Sequence, residues 1–213
     1  MLNEITKRIL STLFLIPIAF FFIIKGSFFF NFFIFICFLV TVYEWHQMSK
    51  KKNYLIPGII LIFLSFYTVY LLRFDDLNLF SFLLIIFTCI GTDMGGFIFG
   101  KIFKGPKLTK ISPNKTYSGM FGGIFLSIIL VNILINNIYL LNISYVNFTQ
   151  ETFVIVILIS LVSQTGDLIV SYFKRLSKIK NTGKIIPGHG GLLDRIDGMI
   201  FAFPFAYLLF KII

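Results

Sequence analysis

The chain has 213 residues, 57% of them hydrophobic and 13% charged, with a formal net charge of +10 and a mean hydropathy of +0.92. A water-soluble globule of this length cannot hide so much apolar surface, because soluble chains are roughly a quarter charged, and a disordered chain requires low hydrophobicity. The basic excess does not point to nucleic acid, since its lysines and arginines share the chain with long apolar runs.

Seven apolar segments follow one another, at 9–24, 27–43, 54–72, 78–103, 118–140, 153–173 and 192–211. Each is read as a helix, because a spanning segment must satisfy its own backbone in lipid, and none shows the ten-residue alternation of a membrane barrel. Lys25-Gly26 predicts a tight turn between the first two. The first run has no small-residue cleavage site after it and is read as a retained span. The expected fold is an all-α, polytopic integral membrane protein with about seven transmembrane helices. Residues 1–213 form a single membrane-embedded domain, with no internal repeat and no long linker.

The loops orient the spans. With the N-terminus in the cytoplasm, 16 of the 19 basic residues fall on the cytoplasmic side, and only Lys25, Arg73 and Lys211 fall elsewhere. The positive-inside rule therefore predicts N-in, C-out. Segment 141–152, without Lys or Arg, is the expected external loop.

Cys37 and Cys89 sit inside apolar runs without metal-ligand spacing and read as small core hydrophobes. His46 reads as an interfacial histidine. Glu4, Asp75, Asp76 and Glu151 lie near span ends or in loops. Asp93 and Asp167 lie inside spans, and Asp194 and Asp197 open the last one. A carboxylate at the bilayer centre costs roughly 2.5–3.5 kcal/mol on insertion scales, so it needs a partner or a watery cavity. One answer is an ion pair with Lys or Arg from a neighbouring helix. The other is a bound cation.

Spacing favours a site. Asp167, Ser171 and Lys174 stand at i, i+4 and i+7 and share a helix face. Asp194 and Asp197, at i and i+3, share another. Carboxylates crowded near one membrane surface repel one another unless a cation lies between them, and hard oxygen ligands favour Mg²⁺ (magnesium), with room for a second cation. Two polar loops flank them, 100–116 and 174–191, rich in Gly and Lys. Glycine lets backbone approach a ligand, and Lys115, Lys174 and Arg175 beside Ser, Thr, Gly and His suit phosphate groups. Lys50 to Lys52, Lys104 and Lys178 read instead as topology-setting charges that attract anionic lipid.

The run Ser171-x-x-Lys174-Arg175, then Lys180-Asn181-x-Gly183-x-x-Ile186-Pro187-x-His189-Gly190-Gly191-Leu192-x-Asp194-Arg195-Ile196-Asp197, resembles the phosphatidate cytidylyltransferase (CDP-diacylglycerol synthase) family pattern. Gly166-Asp167-Leu168 belongs to the same resemblance, as does Ile111-Ser112-Pro113-x-Lys115-Thr116-x-x-Gly119 with Gly122-Gly123. Asp93 with Gly100-Lys101 is a weaker element. Together these cover 91–198, about half the chain. Asn181 replaces the family's usual Asp, Ser118 stands where an acidic residue is common, and Lys101 where Arg is common. Asn181 keeps a hydrogen-bond acceptor but adds no charge, so it is not assigned a catalytic role.

The resemblance implies transfer of the cytidylyl group of CTP to phosphatidate, giving CDP-diacylglycerol and pyrophosphate. The partners it implies are CTP, phosphatidate and the lipid bilayer, and the site would face the cytoplasm at the inner membrane. By carry-over, Asp167, Asp194 and Asp197 would hold the metal, and Ser171 and Lys174 would contact phosphate. Ser112, Lys115, Thr116, Arg175 and Arg195 would bind the triphosphate or lipid phosphate. His189 with Gly190 and Gly191 would form a tight loop near the phosphates. Two other readings fit parts of the sequence. A CTP-dependent polyprenol or dolichol kinase-like enzyme would move the γ-phosphate instead, and the intact His-Gly-Gly-x-x-Asp-Arg-x-Asp run argues against it. A transporter would show helices related by a repeat. The sequence leaves the oligomeric state open, with a homodimer among the options.

Overall fold

A computed structural model describes residues 4–74, 78–109, 111–141, 147–186, 188 and 190–212. Among these residues there are eight α-helices and no strand. They are α1 (Glu4–Lys25), α2 (Ser27–Ser49), α3 (Leu55–Phe74), α4 (Asn78–Phe103), α5 (Tyr117–Asn137), α6 (Gln150–Leu176), α7 (Leu193–Ile196) and α8 (Met199–Ile212). A 3-10 turn, Ile138–Leu141, extends α5. The chain divides into two compact units, one of residues 1–66 and 173–196, the other of 67–172 and 197–213.

Among the described residues, five helical stretches are long and apolar enough to cross a membrane: Ser27–Ser49, Leu55–Phe74, Leu79–Phe103, Tyr117–Leu141 and Gln150–Leu176. Two shorter apolar helical stretches are Leu13–Lys25 and Met199–Ile212. Large apolar side chains stand on the outside of these helices, among them Phe28, Phe32 and Phe35 on α2, Ile56 and Ile60 on α3, and Phe121 and Phe125 on α5. Exposed apolar surface of this extent is unstable in water and at rest in lipid, so the chain is a multi-pass membrane protein.

The last apolar segment differs from expectation. Instead of one span over 192–211, α7 ends at Ile196 and α8 begins at Met199. The Asp197 carboxylate accepts a hydrogen bond from the Gly198 N–H at 3.0 Å, an interaction that competes with the helical ladder. A Cβ at Gly198 would come within 2.9 Å of the Ser163 carbonyl oxygen, so a glycine permits this close approach to α6. At ~1.5 Å per residue, the 14 residues of α8 are shorter than a hydrocarbon core of ~30 Å.

In the first unit, Gly26 makes the expected turn between α1 and α2 with a positive φ of 63°. The two helices then meet through stacked Phe22 and Phe33, with centroids 5.2 Å apart. The C-terminal end of α2 meets the start of the 173–196 segment through Trp45, whose ring lies edge-on to Phe173 at 5.5 Å. Ser177 Oγ–H donates to the Met48 carbonyl at 2.8 Å and shares a 2.6 Å hydrogen bond with Tyr54 Oη.

In the second unit α4 and α5 lie nearly backbone to backbone. A Cβ at Gly91 would sit 2.5 Å from Ser127 Cα, one at Gly119 would sit 2.7 Å from the Gly96 carbonyl oxygen, and one at Gly123 would sit 2.8 Å from the Thr92 carbonyl oxygen. Small residues on facing helices let membrane helices approach closely where lipid supplies no hydrophobic drive. Polar side chains then join α4, α5 and α6. Thr92 Oγ1–H donates to Ser160 Oγ at 2.8 Å, and Gln164 Nε2–H donates to the Met120 carbonyl at 3.3 Å.

Candidate active site

The candidate residues fall into two groups, one in each unit. In the second unit the segment before α5 folds back on itself. The Leu108 N–H donates to the Lys115 carbonyl at 2.8 Å, and the Lys115 N–H donates to the Ser112 carbonyl at 3.1 Å. Ser112 N–H in turn donates to Thr109 Oγ1 at 3.2 Å. Thr116 caps α5, its Oγ1 accepting from the Gly119 N–H at 3.1 Å, as the Thr-x-x-Gly spacing allows. Ser118 shares a 3.0 Å hydrogen bond with Thr116 Oγ1 and donates to the Lys104 carbonyl.

This fold-back delivers Lys115 to Asp167, and the two form an ion pair with side chains 27% and 25% exposed. Ser171 Oγ–H, one turn further along α6, donates to Asp167 Oδ1 at 3.2 Å. The shared face expected from the i, i+4 spacing is therefore present. Asp197, in the same unit, is buried. Asp93 is exposed on α4.

The first unit holds the second group. The Lys174 ammonium donates to Asp194 Oδ1 at 3.0 Å, and both side chains are 9% exposed. The other oxygen of Asp194 accepts two backbone N–H groups, Thr182 at 2.8 Å and Gly191 at 3.0 Å. Asp194 itself stands in the first turn of α7, where a carboxylate is favoured. Ile186 and Gly190 close the intervening loop by exchanging N–H···O bonds of 2.9 and 3.2 Å. Gly190 has a φ of 91°, and a Cβ there would lie 2.8 Å from Asp194 Oδ2. Arg175 is exposed and donates to the Ile179 carbonyl at 3.1 Å, and Arg195 is exposed on α7. His189 lies outside the described residues.

One buried carboxylate escaped the sequence reading. Glu44 on α2 is 1% exposed. Its Oε1 accepts from Leu192 N–H at 3.0 Å, and its Oε2 accepts from Leu193 N–H at 2.8 Å and Thr182 Oγ1–H at 3.1 Å. Glu44 stands one residue past the apolar segment 27–43, so the insertion-cost criterion that singled out Asp93 passed it over.

Chemically, the two groups offer ammonium groups held beside carboxylates, with hydroxyl and backbone N–H donors nearby. Such donors suit a substrate carrying several phosphate charges. Among the described residues no three of His, Cys, Asp and Glu are gathered into a metal-holding group.

Comparison with known proteins agrees with this chemistry. A model of the cytidylyltransferase family matches residues 6–77 and 60–213. The chain is similar to a phosphatidate cytidylyltransferase of Rickettsia felis, 36% identical over 221 residues, covering 97% of this chain and 92% of that protein. It is 37% identical over 167 residues to the phosphatidate cytidylyltransferase of Rickettsia prowazekii, covering 76% and 72%. It is 39% identical over 122 residues to that of Staphylococcus aureus strain COL, covering 55% and 44%. With a family match that runs nearly end to end and a relative alike over 92% of its own length, the chain belongs to the cytidylyltransferase family.

Proposed function

We propose that this protein is a phosphatidate cytidylyltransferase, an enzyme of phospholipid biosynthesis that converts CTP and phosphatidate to CDP-diacylglycerol and pyrophosphate. The observation that carries this reading is the likeness to an enzyme of that name over 97% of the chain. In the reaction an oxygen of the phosphatidate phosphate bonds to the α-phosphorus of CTP. The bond from that phosphorus to the β-phosphate bridging oxygen breaks, and pyrophosphate leaves. The attacking phosphate is already ionised near neutral pH, so positioning and charge neutralisation do most of the work.

The chain's own residues suit those tasks. Lys115 and Lys174 each hold an ammonium group beside a carboxylate. Both are assigned to substrate phosphates, as is Ser171, whose hydroxyl would turn from Asp167 to a phosphate oxygen. Ser112, Thr116, Arg175, His189, Gly190, Gly191 and Arg195 are assigned to the triphosphate or lipid headgroup on the strength of the motif. Asp167, Asp194 and Asp197 are assigned to Mg²⁺. Their oxygen donors are of the hard kind that Mg²⁺ takes, and this ion commonly uses one or two protein carboxylates with water and substrate phosphates, so a closed cage of three is not needed. When bound, Mg²⁺ would neutralise charge on the triphosphate.

We further propose about seven membrane passes with the N-terminus in the cytoplasm, which leaves 16 of 19 basic residues on that side. This puts the lysine-rich loops where soluble CTP meets the lipid headgroup at the cytoplasmic membrane. The test is pyrophosphate release by the purified protein with CTP, phosphatidate and Mg²⁺ each withheld and restored. Release that needs all three supports the proposal, and release without phosphatidate removes it.

A further inference from the structure

We infer that Glu44 is a positioning residue, which from α2 fixes the loop whose backbone holds the Asp194 carboxylate. The inference rests on the proposed cytidylyl transfer for its kinetic consequence. Its structural basis lies wholly within the first unit.

Two carboxylates divide the donors of one loop. Thr182 gives its backbone N–H to Asp194 and its hydroxyl to Glu44. Of three consecutive residues, Gly191 gives its N–H to Asp194, while Leu192 and Leu193 give theirs to Glu44. Both ends of the 182–193 segment are thus tied to both acids. Glu44 is buried, and every one of these donors is uncharged. Burying a carboxylate is costly unless it is fully hydrogen-bonded. The N–H groups at the start of a helix are commonly taken by a side chain of the preceding loop. At α7 it is Glu44 that takes them, from 148 and 149 positions away in sequence.

Two glycines are shaped to Glu44. A Cβ at Gly183 would lie 2.6 Å from Glu44 Oε1. A Cβ at Gly191 would overlap Glu44 Oε2 and Thr182 Oγ1, and would sit 2.7 Å from Glu44 Cδ. Gly191 therefore makes room for a protein carboxylate, whatever it also does for a substrate. Trp45 against Phe173 and Ser177 on the Met48 carbonyl bring the same stretch of α2 to Lys174's end of the segment. The part of the chain that carries none of the motif thereby sets the position of Asp194 and Thr182.

The test compares full-length wild type, Glu44→Gln and Glu44→Ala in one detergent or nanodisc preparation. Two readouts are taken: hydrogen exchange of peptides spanning 181–193, and steady-state kinetics in CTP and phosphatidate. Glutamine keeps an acceptor oxygen but turns an amino group toward N–H donors, so it is the milder variant. The expected result is faster exchange confined to 181–193 and turnover per folded molecule lowered by about 10- to 100-fold in the alanine variant, the range of supporting residues around a catalytic group. KM values should change far less than kcat, and Glu44→Gln should fall between. Should Glu44→Ala give no folded protein, Glu44→Gln decides on the same two readouts. Unchanged turnover per folded molecule, or faster exchange spread through all peptides, overturns the inference. A wild type that forms no CDP-diacylglycerol would sink the proposed reaction instead, and the exchange data would still test the Glu44 tie.

Discussion

Lys174 and Asp194 face each other at 3.0 Å across a surface from which both side chains are nine-tenths shielded. Each neutralises the other, so neither can be removed without leaving a buried charge. Breaking such a pair from one side costs about 3–5 kcal/mol. Lys174→Gln is therefore expected to lower the unfolding midpoint as well as turnover. Asp194 keeps its two backbone donors in that variant, so folded protein should still be recoverable. Turnover per folded molecule, measured at limiting CTP and at limiting phosphatidate, should fall in both. Normal rates in both would remove Lys174 from the site.

Lys115 and Asp167 give the opposite balance. This pair is about a quarter exposed, and partly solvated pairs contribute about 0–1 kcal/mol. Lys115→Ala should leave the unfolding midpoint nearly unchanged. If Lys115 serves substrate phosphate, its loss should still depress activity by an order of magnitude or more. Thermal unfolding and initial rates on the same preparation separate the two effects. A variant that loses stability but keeps its rate would make this pair structural.

The contact between α4 and α5 predicts a contrast between neighbouring glycines. A Cβ at Gly96 would meet nothing nearer than 3.8 Å, whereas one at Gly95 would run into the backbone of Gly122. Gly96→Ala should be neutral or stabilising by up to about 1 kcal/mol, the helix-propensity difference. Gly95→Ala should separate the helices and lower the unfolding midpoint. Equal behaviour of the two would contradict the close approach.

The proposed orientation predicts which loops are reachable. Maleimide labelling from outside intact cells should modify Asn147→Cys and spare Lys178→Cys. The reverse pattern would place the lysine-rich loops on the face that lacks CTP.

The longer helices were legible because their apolar runs exceed what a loop needs, and α4 was read to its end residues, 78–103. The Asp167 and Ser171 contact was legible because helical periodicity makes i and i+4 neighbours. The break after Ile196 was not. It goes with a side-chain to backbone bond at Asp197 and a close approach of Gly198 to Ser163, and sequence spacing shows neither. Glu44 was missed for a related reason. Its partners are 138 to 149 residues away, and a local pattern carries no trace of them. Gly191 read as a phosphate-loop glycine, and only the fold shows the carboxylate that fills the space beside it.

The most direct test of the account follows the phosphorus atoms of CTP. Purified protein is given phosphatidate vesicles, Mg²⁺ and CTP labelled either at the α- or at the γ-phosphate, and the lipid fraction is counted. Cytidylyl transfer predicts that the α-label enters lipid in step with pyrophosphate release, while the γ-label stays in the aqueous phase. Entry of the γ-label into lipid, with the α-label left in water, would contradict the account and identify a lipid kinase.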